Sequence, residues 1–264
     1  MMRKNLRFVR LLIKLQLSHM MVFRLNFFMI FFADGTLFLM QLLAFQAIYS
    51  QVGSIGGWGR GQMIIFVGTF SIINALNMLI FFLGIVDLPG KIKRGDLDQY
   101  LTKPVNPLLR LTFENINPGS ALLAAVSILI VVYGVSVARV AVTVPLVLGY
   151  AALVLLMTLL WYDMMLIIRS ITFLVISADG IQRLEDQFLD LNFKVPGVLY
   201  KGFFKILFYF LVPYGIMSTI PTQLITRGAS VGGLLAAVAI VAIFTAFALW
   251  FWKFGLKHYK SASS

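Results

Sequence analysis

The sequence contains no cysteine. That removes disulfides, thiol catalysis and Cys-based metal sites, and it leaves the redox compartment undecided. Its two histidines, His19 and His258, lie near opposite ends of the chain in no metal-ligand spacing and read as structural or surface groups. Charge is scarce: 12% of the 264 residues are Asp, Glu, Lys or Arg, where a soluble domain carries about one quarter. Strand-like alternation is missing and there are only eight prolines, which argues against a membrane barrel and for a helical bundle. No G-x-x-x-x-G-K-[ST] segment occurs. Gly90-Lys91 lacks both the earlier glycine and a following hydroxyl residue, so nucleotide chemistry belongs to another polypeptide. An intramembrane enzyme would need His, Asp or Ser clustered within the apolar runs, and none is visible.

What is abundant is apolar sequence, 60% of the chain. Several runs approach or exceed the roughly twenty residues a helix needs to cross a hydrocarbon core. The expected fold is an all-α polytopic membrane protein, one transmembrane domain over 1–264. Six spans are expected, at 24–48, 62–87, 119–138, 143–163, 202–221 and 231–252. Residues 1–19 superficially resemble a signal peptide, but Lys14 interrupts the apolar part and no cleavage site follows. Arg3, Arg7, Arg10 and Lys14 instead form one stripe of a helix and Leu6, Val9, Ile13 and Leu17 another. This is a basic amphipathic helix suited to the inner headgroup region. Gly53 to Gly61 reads as a turn between the first two spans. Ala138-Arg139-Val140 reads as a minimal turn, which predicts that the third and fourth spans form a tight antiparallel pair. Residues 164–178 are too short for an ordinary span and either extend the fourth or lie at the interface. The mixed-charge segment after them reads as a solvated amphipathic helix.

The net charge of +12 is explained by topology rather than by nucleic acid, because basic residues are retained on the cytoplasmic side. With the N-terminus inside, the cytoplasmic segments are the start of the chain, 88–118, 164–201 and the tail. Of 22 basic residues, only Arg60, Arg139 and Arg227 then fall outside. Both termini are expected in the cytoplasm. Lys253, Lys257 and Lys260, after Trp250, Phe251, Trp252 and Phe254, form an inner-interface anchor.

The segment KRGDLDQYLTKPVNP, 93–107, is charged and turn-forming between two apolar runs. Asp96 followed by Gln99 fits a capping box. Leu97, Tyr100 and Leu101 stand at i, i+3 and i+4, giving one apolar face, and Pro104 closes the helix. A helix this short needs something to pack against, either its own bundle or a partner beneath the membrane.

"IKRGDLDQYLTKPVNPLLRL" resembles the signature of the ABC-2 type permease family, in the bacterial subgroup with a G-x-LD-x-x-L-x-x-P-x-N-P segment after the second span. Those positions are Gly95, Leu97, Asp98, Leu101, Pro104, Asn106 and Pro107. The resemblance extends to the six-span order and to Pro213 and Pro221. It implies the membrane subunit of an exporter in the bacterial inner membrane, with no cofactor in this chain. It implies two copies of a cytosolic ATPase carrying ATP and Mg, and a second permease, related but distinct. It implies that Gly95, Asp96, Leu97, Asp98, Tyr100, Leu101 and Pro104 form a coupling helix that docks on the ATPase. The competing reading is a stand-alone secondary transporter or channel, which usually shows interrupted helices in two matching halves or rings of charge.

Within the spans, Asp34 is costly to insert, by roughly 2.5–3.5 kcal/mol, and must face protein or water. It reads either as a contact for a cationic or hydroxyl-bearing substrate or as an internal pair. Asn74 and Asn77 share one face and read as a substrate contact or interhelical glue. Asp163 and Arg169 bracket the inner end of the fourth span, for anchoring or for pairing with cytoplasmic helices.

Overall fold

The computed structural model describes residues 8–15, 18, 24–175, 178–228 and 231–259, side chains excepted at 24–31, 34 and 231. Among these residues the chain is helical, with one isolated bridge between Ile55 and Trp58 and no strand. The elements are α1 Arg24–Tyr49, α2 Arg60–Ile80, α3 Phe82–Val86, α4 Leu88–Arg94, α5 Asp98–Leu101 and α6 Pro107–Phe113. They continue as α7 Ser120–Ala138, α8 Val144–Ser170, α9 Asp179–Lys194, α10 Gly202–Ile206, α11 Thr219–Arg227 and α12 Val231–His258. Of the expected N-terminal amphipathic segment, residues 8–15 are helical, with Arg10 and Lys14 exposed and Val9 and Ile13 half-buried. Except for Ser18, its remainder lies outside the described residues.

Among the described residues, four helices are long and apolar enough to cross a bilayer alone: α2, α7, α8 with its continuation to Phe173, and α12. A bent pair over Gly202–Leu211 and Pro213–Arg227 makes a fifth if counted as one span. The first apolar run is helical over Arg24–Tyr49, of which Gly35–Tyr49 counts as a shorter apolar helix. The second run, expected as one helix over 62–87, is interrupted at Phe81 (φ −139°) and at Asp87. Pro89 explains the later break, since it has no N–H to offer the Ile85 carbonyl. Residues 164–173 extend α8, which runs to Ser170 and ends in a 3-10 turn, Ile171–Phe173.

The expected tight pairing of the third and fourth spans does not occur. α7 packs along α2, and α8 packs on α12, α11 and α2. The reason is a seam of small residues. A Cβ on Gly68 would lie 2.8 Å from Val131 Cγ2, and one on Gly134 would lie 2.8 Å from Ile65 Cγ1. Ser71 and Ser127 share a hydroxyl hydrogen bond of 2.5 Å across the same seam. Small residues let helix backbones approach, which drives association where no hydrophobic effect operates. A five-residue linker, 139–143, fixes proximity of ends, not of faces.

One end of the bundle, the turn face, is tied by Ile55-Gly56-Gly57-Trp58. Ile55 and Trp58 exchange N–H···O bonds of 3.0 Å. The central glycines have φ of 58° and 77°, as a tight hairpin turn requires. Trp58 is fully buried and its carbonyl accepts from Tyr49 Oη at 2.8 Å. Arg227 Nη2 donates to the Gly57 carbonyl at 2.7 Å. The opposite end, the loop face, carries α4 to α6.

The largest departure from expectation concerns α9. It starts on the loop face, where Asp179 pairs with Lys93 at 3.6 Å. Near its far end, the Phe193 ring lies 5.0 Å from Phe38 and 5.2 Å from Phe70, partway along α1 and α2. The residues after it reach the turn face: a Cβ on Gly56 would lie 2.7 Å from Leu199 Cδ2. α9 is therefore not a helix lying beyond the bundle; it joins the two faces. From there α10 leads into a π-helical turn, Leu207–Leu211, and the chain bends by 84° at Val212. Pro213, which cannot donate, sits at that bend. α11 then returns to the turn face, where Gln62 Nε2 meets Thr226 Oγ1 at 3.4 Å. The expected fifth span over 202–221 is thus broken at Val212, and Leu199 just before it and Thr226 near the end of α11 both contact the turn face.

Candidate functional site

The loop between α2 and α7 is built from punctuation residues. α4 ends at Gly95, whose φ of 74° is left-handed and favours glycine. α5 is a single turn. Residues 102–105 are irregular, and then Asn106 caps α6: its Oδ1 accepts from Leu108 N at 2.9 Å and Leu109 N at 3.3 Å. Pro107 is the first helical residue, where its missing N–H costs nothing. The P-x-N-P segment is therefore a stop followed by a start.

The expected capping box is corrected here. Neither Asp96 nor Gln99 caps α5, whose N-cap, Leu97, has no side-chain cap bond. Asp96 is instead held by Arg94 Nε at 2.7 Å. The three-residue apolar face is corrected as well. Leu97 and Tyr100 are buried in this chain's own loop, and only Leu101, 42% exposed, points outward. Its outward neighbours are Gln99, Thr102, Lys103 and Pro104, with Gly95 and Asp98 half-buried.

What turns Tyr100 inward is a charge cluster. Its hydroxyl donates to the Glu114 carboxylate at 2.7–2.8 Å. Its ring lies 4.1 Å below the Arg110 guanidinium and 5.6 Å from Lys91 Nζ, both favourable cation–π placements. Lys91 in turn sits 2.7 Å from Glu114 and 3.3 Å from Asp87. Burial, and then the neighbouring Glu114 carboxylate, push the Tyr100 phenol up to about 12. Burial alone would lower Lys91, but bonding to Glu114, with help from Tyr100 and Asp87, outweighs it and leaves the ammonium more basic than an ordinary lysine. Sequence reasoning missed Glu114 and Lys91. The available signal was the pair of i,i+4 opposite charges, Asp87/Lys91 and Arg110/Glu114, that flank the loop.

A second polar cluster lies deeper. Arg169 Nη1 donates to Glu185 Oε2 at 2.7 Å, and Tyr214 Oη donates to Glu185 Oε1 at 2.8 Å. All three side chains are buried. The cluster joins the end of α8, the first half of α9 and the tip of the bent hairpin. Arg169 was expected either to anchor the inner end of the span or to pair with cytoplasmic helices; it pairs with α9, and the part played by Tyr214 was not expected.

Asp163, also buried, accepts from Thr245 Oγ1 at 2.5 Å and so ties α8 to α12. Asn77 is fully buried and neither of its amide atoms has a hydrogen-bond partner among the described residues, while Asn74, one turn earlier, is half-buried. The side chain of Asp34 lies outside the described residues.

No curated protein and no solved structure matches the chain. The family described as ABC-2 family transporter protein matches residues 36–263, which takes in the loop, both polar clusters and nearly all of the bundle. The chain therefore belongs to the ABC-2 family of transporter proteins, and is a membrane permease component of an ABC exporter.

Proposed function

We propose that this permease couples to its ATPase through the outward side of α5, centred on Leu101 and Pro104. Family membership carries a partnership with a cytosolic ABC ATPase. The observation that supports the contact is the clamp on the loop: with Leu97 and Tyr100 held by the chain itself, α5 presents Leu101 from a rigid base. Ordering entropy that a mobile loop would lose on docking is already spent. ATP and Mg belong to the partner, in two copies, one under each of two permeases. The second permease is a related but distinct chain. ATP-driven closure of the ATPase pair would move the loop and rock the spans.

The orientation follows the charge bias, with the loop face and both termini in the cytoplasm of a bacterial inner membrane. Six crossings then fall to α1, α2 with α3, α7, α8, α9 and α12, and α10–α11 enters and leaves from outside. Lys201 and Lys205 join Arg60, Arg139 and Arg227 outside, and most of the 22 basic residues stay inside. α9 would then bear Arg183, Asp186, Gln187, Asp190 and Lys194 exposed on one side of the crossing. Charges at that depth do not face lipid. This stripe is a better lining for the substrate pathway than Asp34, Asn74 or Asn77, because it is polar along its whole length.

Leu101→Asp tests the contact. A carboxylate forced into an apolar interface costs several kcal/mol even when it takes up a proton, so the ATPase should no longer co-purify while the permease inserts and melts as before. Retention of a fully active ATPase would remove α5 from the coupling. The cysteine-free chain also allows the orientation to be read by single thiols. Leu199→Cys should label from outside intact cells and Thr102→Cys only after permeabilisation. Labelling of Leu199→Cys only from inside would return 164–201 to the cytoplasm.

A further inference from the structure

Two adjoining cavities, each of about 400 Å³, lie between α1 and the α2–α7 pair. They share Leu39, Leu42, Val126 and Ile130 as walls. Together they follow α1 from Phe32 to Tyr49, about 25 Å at 1.5 Å per residue, more than the roughly 15 Å depth of one leaflet. Their walls are mostly apolar; Thr36 and Ser71 line one cavity, and the larger polar groups, Arg60, Tyr133, Gln46 and Tyr49, collect in the other at the turn face. Tyr49 is already committed to the Trp58 carbonyl. Arg60 is exposed, heads α2 and has no ion pair among the described residues. The chain segments forming that face, 50–61, 139–143, 195–202 and 224–228, contain no Asp or Glu.

An apolar trough longer than one leaflet is deep, with a guanidinium at its mouth that has no ion pair among the described residues, matches one kind of occupant. We infer that the groove between α1 and the α2–α7 pair holds an acyl chain of an anionic phospholipid, whose phosphate is bound by Arg60 with Tyr133 beside it. Guanidinium and phosphate match in a two-pronged, charge-assisted contact. The positive end of the α2 dipole lies on the same side. Nothing else on this face competes for Arg60, since every acidic side chain described belongs elsewhere in the bundle. The inference rests on the orientation proposed above only for the leaflet that supplies the lipid, here the outer one.

Purified permease in nanodiscs of phosphatidylcholine, with phosphatidylglycerol titrated in, tests it by native mass spectrometry of the retained lipid. The wild type should retain phosphatidylglycerol in preference to phosphatidylcholine. Arg60→Gln should cut that preference about tenfold, the factor of one lost charge-assisted hydrogen bond. Ile130→Trp should block the trough and reduce retention of both lipids, leaving the melting temperature unchanged. Equal retention of the two lipids by the wild type overturns the inference, as does an unchanged preference in Arg60→Gln. A disulfide between two copies of Leu43→Cys would also overturn it, by showing that a second chain covers the groove. Thiol labelling of Leu199→Cys, read separately, reports on the orientation alone.

Discussion

The loop clamp and the buried cluster use the same chemistry in opposite settings. In the loop, Glu114 has three partners, Lys91, Tyr100 and Arg110, and Lys91 has two acids. In the interior, Arg169, Glu185 and Tyr214 form a single chain of contacts with side chains at most a few per cent exposed. Redundancy makes the first tolerant: any one partner can go and the others still neutralise the site. Burial without redundancy makes the second intolerant, because removing one member strands a charge away from water.

The largest expected effect is therefore at Glu185. Glu185→Ala should destabilise the permease by about 3–5 kcal/mol, the usual cost of orphaning a buried ion, read as a lower melting temperature and yield. The double change Arg169→Met with Glu185→Leu should recover most of that loss. A double variant as unstable as the single one would mean the cluster matters for shape rather than charge. Lys91→Met should cost less, about 1–2 kcal/mol, because Arg110 and Tyr100 still hold Glu114. A cost equal to that of Glu185→Ala would erase the distinction between the regions. Asp96→Asn should have the smallest effect, with no resolvable change in melting and normal ATPase co-purification. Loss of the ATPase in that variant would restore Asp96 to the coupling contact.

How much of this was legible in the sequence depends on range. The apolar runs announced α2, α7, α8 and α12; the helix start at Asn106-Pro107 was equally local, since capping is settled by neighbours in the chain, but it was not among the expectations. The end of α4 at Gly95 was local in the same way and was likewise not among the expectations. The inward turn of Leu97 and Tyr100 was not legible, since it depends on Lys91 and Glu114 arriving from either side. Nor was α9. Its charges suggested solvent, and only its long-range contacts, with Lys93 at one end and Phe38 and Phe70 near the other, place it within the bundle. The third and fourth spans were paired wrongly because a short link was weighed above the glycine seam that actually selects α2 for α7.

The glycine turn carries a mechanical meaning. The end of α1, the start of α2, the Leu199 segment and Arg227 at the end of α11 all meet at Ile55–Trp58. A bundle stapled at that point has a fulcrum. Helices sharing a fulcrum sweep widest at their free ends, so in the proposed orientation a small pull on the loop face would spread that half while the turn face stays shut. In that orientation, opening to the outside would demand that this staple yield, with the Arg227 hydrogen bond to the Gly57 carbonyl as its catch.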